Sequence, residues 1–172
     1  MLYLGLSGLI VMGQVIRVGI ADLNIGRSPD VIVTLGLGSC VGVALYDKVA
    51  KIGGLAHVML PDSKQARSGQ NPAKFADTAI PLLIEKMERA GASRSRMVAK
   101  IAGGAQMFSF SDKNLQLNIG KRNVEAVKAV LAEEKIPLVA EDTGGSYGRS
   151  VELHTDSGKF VVRTVGHGIK EL

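Results

Sequence analysis

The chain has 172 residues, enough for one domain, and a domain of that length buries roughly two thirds of its unfolded surface and needs no second core. With 46% apolar residues, 4% aromatics, no Trp and 21 glycines, the composition excludes a disordered chain and points to a core of Val, Ile, Leu and Ala between tight turns. The net charge of +5 is spread along the chain rather than gathered in a block, which argues against a nucleic-acid partner. The single cysteine excludes an internal disulfide and favours the reducing cytoplasm.

Residues 1–13, Met-Leu-Tyr-Leu-Gly-Leu-Ser-Gly-Leu-Ile-Val-Met-Gly, are apolar but too short to span a membrane, and they lack the charged front of a secretory signal. They read as an extension outside the folded domain, either a frayed tail or a start-site artefact with Met12 as the alternative start. The domain proper is expected over 14–172. Val15 to Ala21 and Val31 to Leu35 carry strand patterns on either side of the Arg-Ser-Pro-Asp turn at 27–30. Gly36-Leu37-Gly38-Ser39-Cys40 then breaks the chain. Val41 to Tyr46 and Ile52 to Leu60 form the two arms of a predicted hairpin, with Cys40 and His57 flanking it.

Pro61 to Ala73 is rich in breakers and reads as a loop long enough to border a site. Phe75, Ala79, Leu82, Leu83 and Met87 recur at helical spacing through Arg89, with Pro81 expected to kink that helix. A second amphipathic helix is predicted from about Asn123 to Glu134, presenting Val124, Val127, Val130 and Leu131. Met97 to Ala102, Leu138 to Ala140, Val151 to His154 and Phe160 to Val165 read as strands, the last two joined by the turn Thr155-Asp156-Ser157-Gly158. No internal repeat or low-complexity linker interrupts this order. The expected fold is α+β: one domain of β-sheets packed in layers with flanking helices.

Three features carry chemistry. A thiol becomes a nucleophile where backbone amides can hold the developing oxyanion, and the bend formed by Gly36, Gly38 and Ser39 supplies accessible amides next to Cys40. Taken alone, Cys40 is equally well a small buried hydrophobe at a strand start. His57 lies in the apolar run Gly-Gly-Leu-Ala-His-Val-Met-Leu, where an imidazole is costly to bury without a partner. It is either a satisfied core histidine or the base that takes the thiol proton, and the place of Cys40 and His57 at opposite ends of one predicted hairpin favours the base. Thr34, on the strand entering the glycine bend, is placed to fix that imidazole by a hydrogen bond. His154 and His167 have no ligand-spaced partners, so no metal is expected and both are read as structural or surface residues. Val41 stands where a dinucleotide fingerprint needs its third glycine, so nucleotide binding falls away.

Thr-Leu-Gly-Leu-Gly-Ser-Cys at 34–40, Ala-His-Val-Met-Leu-Pro-Asp-Ser at 56–63, Lys-Phe-Ala-Asp-Thr-Ala at 74–79, Lys-Ile-Ala-Gly-Gly-Ala at 100–105, Asn-Ile-Gly-Lys-Arg-Asn at 118–123 and Ala-Glu-Asp-Thr-Gly-Gly at 140–145 closely resemble the chemoreceptor glutamine deamidase family, CheD. The resemblance runs through about residues 15–170, with Pro81 and Ser-Tyr-Gly at 146–148 as local variation. It implies an amidohydrolase with a Cys-His-Thr triad, falling on Cys40, His57 and Thr34, and a fold similar to glutamine-deamidating toxins. It further implies two protein partners: methyl-accepting chemotaxis receptors as substrate, and a CheC-type phosphatase that docks on the deamidase. The expected reaction converts a receptor glutamine side chain to glutamate through a thioester, with no cofactor. The competing expectation is a binding module whose main task is to regulate the phosphatase. A protease is disfavoured, since nothing in the sequence indicates a peptide-cleavage specificity.

Overall fold

The structure, a computed structural model, describes residues 2–4, 10–107 and 118–172. Strands β1 (Leu2–Leu4) and β2 (Ile10–Met12) pair antiparallel with each other and belong to neither main sheet. β3 (Val15–Val18), β5 (Val31–Leu37), β10 (Arg149–His154), β11 (Phe160–Thr164) and β12 (Gly168–Glu171) form one five-stranded sheet in the order β12-β11-β10-β5-β3. The second has the order β4-β7-β6-β8-β9, from β4 (Leu23–Arg27), β6 (Val41–Asp47), β7 (Ile52–Val58), β8 (Met97–Gly103) and β9 (Leu138–Thr143). Both sheets are mixed, with β3–β5 and β8–β9 the parallel pairs.

The chain folds in three layers. The two sheets pack face to face through Ile32, Leu37, Val151, Leu153, Phe160 and Val162 of the first sheet or its edge and Ala44, Leu55 and Ala102 of the second. Helices α1 (Ala76–Arg89) and α2 (Ile119–Glu133) cover the other face of the second sheet. Every residue of β6 and β7 is therefore buried, which is why these strands read as continuous apolar runs rather than as alternation. The expected hairpin is present, with Val41 opposite Val58 and Gly42 opposite His57.

Helix α1 continues through Pro81 to Arg89. A proline inside a helix costs about 3 kcal/mol, but Ile80, Leu83, Ile84 and Met87 are fully buried against the sheet, each contributing about 1.5–3 kcal/mol. Packing wins. Helix α2 starts at Ile119, four residues ahead of the expected start, because Gly120, a poor helix former, packs its bare Cα against the carbonyls of Gly104 and Ala105. Four strands escaped the sequence reading: β1 and β2, in the stretch read as an extension, and β4 and β12. β4 contains Asn24 and Gly26, which blur its pattern, and all four residues of β12 are exposed. No helix among the described residues is long and apolar enough to cross a membrane.

Candidate active site

The layering decides where the chemistry-bearing residues meet. β5 lies in the first sheet and β6 in the second, so residues 38–40 cross from one sheet to the other at the open end of the sandwich. Thr34 therefore sits on one wall, His57 on the other, and Cys40 in the strap between them. His57 faces the first sheet from a position opposite Gly42, whose missing side chain makes room for Leu37 and Val151; a Cβ there would come within 3.1 Å of Leu37 and 3.4 Å of Val151. Cys40 stands two residues before Gly42, in the bend that leads into β6. Its side chain is half-buried and packs at the edge of the inter-sheet core.

Thr34 and His57 are both buried, and Thr34 Oγ1 lies 2.7 Å from His57 Nδ1. The hydroxyl proton is donated to the Val18 carbonyl at 2.8 Å. A carbonyl can only accept, so Oγ1 is left to accept from the ring, and the imidazole must carry its proton on Nδ1. Nε2 then presents a lone pair. It is buried and has no hydrogen-bond partner among the described residues. Such an orphan is costly in a folded core and is characteristic of a group held ready for a proton.

Burial pushes the His57 imidazolium below its ordinary value and pushes the Cys40 thiol up, the latter opposed by the cysteine's own backbone N–H. Both groups rest neutral at pH 7.

The strap is fixed from behind. The Gly104 N–H donates to Cys40 O at 2.9 Å and the Ala105 N–H donates to Gly38 O at 2.9 Å. Gly103 approaches so closely that a Cβ there would overlap the Cys40 carbonyl oxygen, and its φ of +117° disfavours any other residue. Of the bend residues, Gly36 has φ +70°, Gly38 abuts the Met107 side chain, and the Ser39 carbonyl accepts from Asn123 Nδ2 at 2.9 Å. Asn123 was not singled out in the sequence, although a polar residue in register with Val127, Val130 and Leu131 on an apolar helix face is a legible signal.

Arg149, also unanticipated, is buried and donates to the carbonyls of Gly103 and Gly144 while pairing with Asp142. It locks the Gly144 turn against the glycine pair behind Cys40. The other histidines lie elsewhere, His154 beside Glu152 and His167 stacked on Tyr147. A groove of about 800 Å³ between residues 60–77 and α2 is not lined by Cys40, His57 or Thr34.

The fold and this site define an α+β protein of layered sheets with a buried Thr–His pair between the sheets and a half-buried cysteine in the strap that joins them. The family model described as CheD chemotactic sensory transduction matches residues 59–164. A protein of Clostridium botulinum named "Probable chemoreceptor glutamine deamidase CheD" is 57% identical over 157 residues, covering 91% of this chain and 97% of its own length. A protein of the same name from Clostridium novyi is 56% identical over the same shares. The chain belongs to the CheD family. Its fold is also similar to a crystal structure of a Neisseria meningitidis protein of the DUF152 family, with TM-score 0.50 and 10% identity over 77% of this chain and 64% of the other.

Proposed function

We propose that the chain is a chemoreceptor glutamine deamidase in which Cys40 is the nucleophile, His57 the base and Thr34 the residue that orients it. The observation that carries this reading is the unpartnered Nε2 of His57, whose tautomer is set by Thr34, in the inter-sheet layer against whose core Cys40 packs. The proton of the thiol passes to Nε2 as sulfur attacks the side-chain carbonyl of a receptor glutamine. Backbone amides of the Gly36–Cys40 bend, that of Cys40 foremost, receive the oxyanion. His57 returns the proton to the departing ammonia, and the same imidazole then activates the water that hydrolyses the thioester to glutamate. A glutamyl methyl ester presents the same acyl centre and is a second substrate on this chemistry.

The working unit is residues 14–172, with residues 1–13 outside it. The lone cysteine and the receptor's modified face both suit the cytoplasm. The family relationship also supports docking of a CheC-type phosphatase, and a role as regulator of that phosphatase is the reading that competes with catalysis.

The deciding experiment incubates the protein and Cys40→Ala with a chemoreceptor cytoplasmic fragment and follows the ~1 Da gain that amide hydrolysis produces at a glutamine. A site-specific gain with the parent alone is expected. A gain with Cys40→Ala removes the nucleophile assignment. No gain with either protein, together with phosphatase binding, moves the function to the regulator.

A further inference from the structure

Asn123 is completely buried on α2, 84 residues from the strap that carries Cys40, yet its amide nitrogen donates to Ser39 O at 2.9 Å and to Met59 O at 2.8 Å. Both neighbours are carbonyl oxygens, so only the –NH2 end can face them, and both of its hydrogens are used. The Oδ1 is buried without a partner among the described residues. A buried amide with one end unsatisfied is a net cost to a helix face that otherwise holds Val127, Val130 and Leu131. That cost is offset only by what the two donated bonds accomplish.

Met59 lies two residues after His57 and Ser39 one residue before Cys40, so this one side chain ties the base's strand to the nucleophile's strap. The Ser39 carbonyl also belongs to the peptide whose N–H is that of Cys40. A trans peptide is planar with its C=O and N–H pointing in opposite directions. Fixing the carbonyl therefore aims the Cys40 N–H, and a bond donated to the carbonyl polarises the amide and makes that N–H a stronger donor. Among the described residues no oxygen accepts this N–H, and the group it acts on is its own sulfur.

We propose that Asn123 is a positioning residue for the deamidation site: its amide aims the Cys40 N–H at the developing oxyanion and holds the Cys40 strap in register with the His57 strand. The inference rests on the deamidase reading above.

The test compares the parent, Asn123→Ala, Asn123→Gln and Val127→Ala, a buried control on the same helix face outside the site. Deamidation kinetics on the receptor fragment are measured beside the rate of Cys40 alkylation by iodoacetamide, a displacement that builds no oxyanion. Asn123→Ala is expected to lower kcat roughly 10- to 100-fold with little change in KM, while alkylation stays within about threefold of the parent. Val127→Ala should lose stability comparably and keep kcat within about threefold. Retention of kcat by Asn123→Ala overturns the proposal, as does an equal loss in Val127→Ala, or a parallel loss of alkylation and deamidation. If Asn123→Ala does not fold, the same comparison is read from Asn123→Gln, which keeps the amide on a longer stem. If the parent does not deamidate the fragment, the deamidase reading fails by itself. The tether is then read by hydrogen exchange at the Gly104 and Ala105 amides, which bond the strap: exchange about tenfold faster or more in the variant sustains the tether, and unchanged exchange overturns it.

Discussion

Thr34 Oγ1 and His57 Nδ1 meet at 2.7 Å across the gap between two sheets, and because the threonine hydroxyl is already committed to the Val18 carbonyl, the contact fixes the imidazole tautomer. A hydroxyl can play this part where a carboxylate is more familiar, at the cost of stabilising the imidazolium less once it forms. The neutral orienter agrees with a site where His57 and Cys40 both rest uncharged.

Removing that orienter should cost rate and little binding. Thr34→Ala is expected to lower kcat for deamidation by roughly 10- to 100-fold, the range found when the partner that fixes a functional histidine is removed. Thr34→Ser retains the oxygen and should recover most of the activity. Steady-state kinetics on a receptor fragment check both, and full activity in Thr34→Ala would show that packing alone orients the ring.

The resting protonation state is open to direct measurement. Because burial raises the Cys40 thiol, alkylation by iodoacetamide followed against pH should have its midpoint above the ordinary cysteine value of about 8.5. A midpoint below 7 would mean a thiolate–imidazolium pair at rest and contradict the neutral pair.

Stability should depend on His57 in a defined window. Its folded value is held below the ordinary histidine value by burial, so the unfolded chain takes up a proton that the folded one refuses. The stability it contributes is complete above about pH 6.5 and is lost as the pH falls below that, at up to about 1.4 kcal/mol per pH unit. Denaturant melts of the parent and His57→Gln at pH 7.5 and 5.5 are expected to show a smaller loss in the variant.

Gly103→Ala should be destabilising and inactive together. A methyl there overlaps the Cys40 carbonyl, and the backbone conformation is one that side chains disfavour, a strain of about 1–3 kcal/mol before the overlap is relieved. Thermal melting and deamidation are measured on the same sample, and a stable, active variant would show that the strap moves freely.

Asp47, at the end of β6, is a purely structural contrast. Its burial works to raise its pKa, but Arg96 and the backbone N–H groups of Ser93, Ala50 and Val49 outweigh this and hold the carboxyl well below the usual range. Asp47→Asn should lower stability, because the hydrogen bonds and ion pair that the carboxylate holds are weakened, and leave the kinetics of the remaining folded protein unchanged; denaturant melts and activity per folded molecule test the two halves of that expectation.

Much of this protein is determined by local rules that its sequence obeys openly. The β6–β7 hairpin, the two amphipathic helices and the β10–β11 turn follow from periodicity and turn chemistry, and Cys40 and His57 stand out because a thiol after a glycine bend and an imidazole in an apolar run each violate the local pattern. Thr34 carries no such signal; a threonine in a strand is ordinary, and it was singled out only for its place before the bend and its match to the family motif. The order of strands decided the rest. Periodicity assigns a face to a residue but not the sheet that face will meet, so the Thr34–His57 contact across the sandwich depends on β5 and β6 lying in different sheets. Asn123 and Arg149 reach the Cys40 strap from 84 residues and, through Gly103, 46 residues away. Contacts at such separation are set by which layers pack together, a property of the whole core rather than of any segment that forms it.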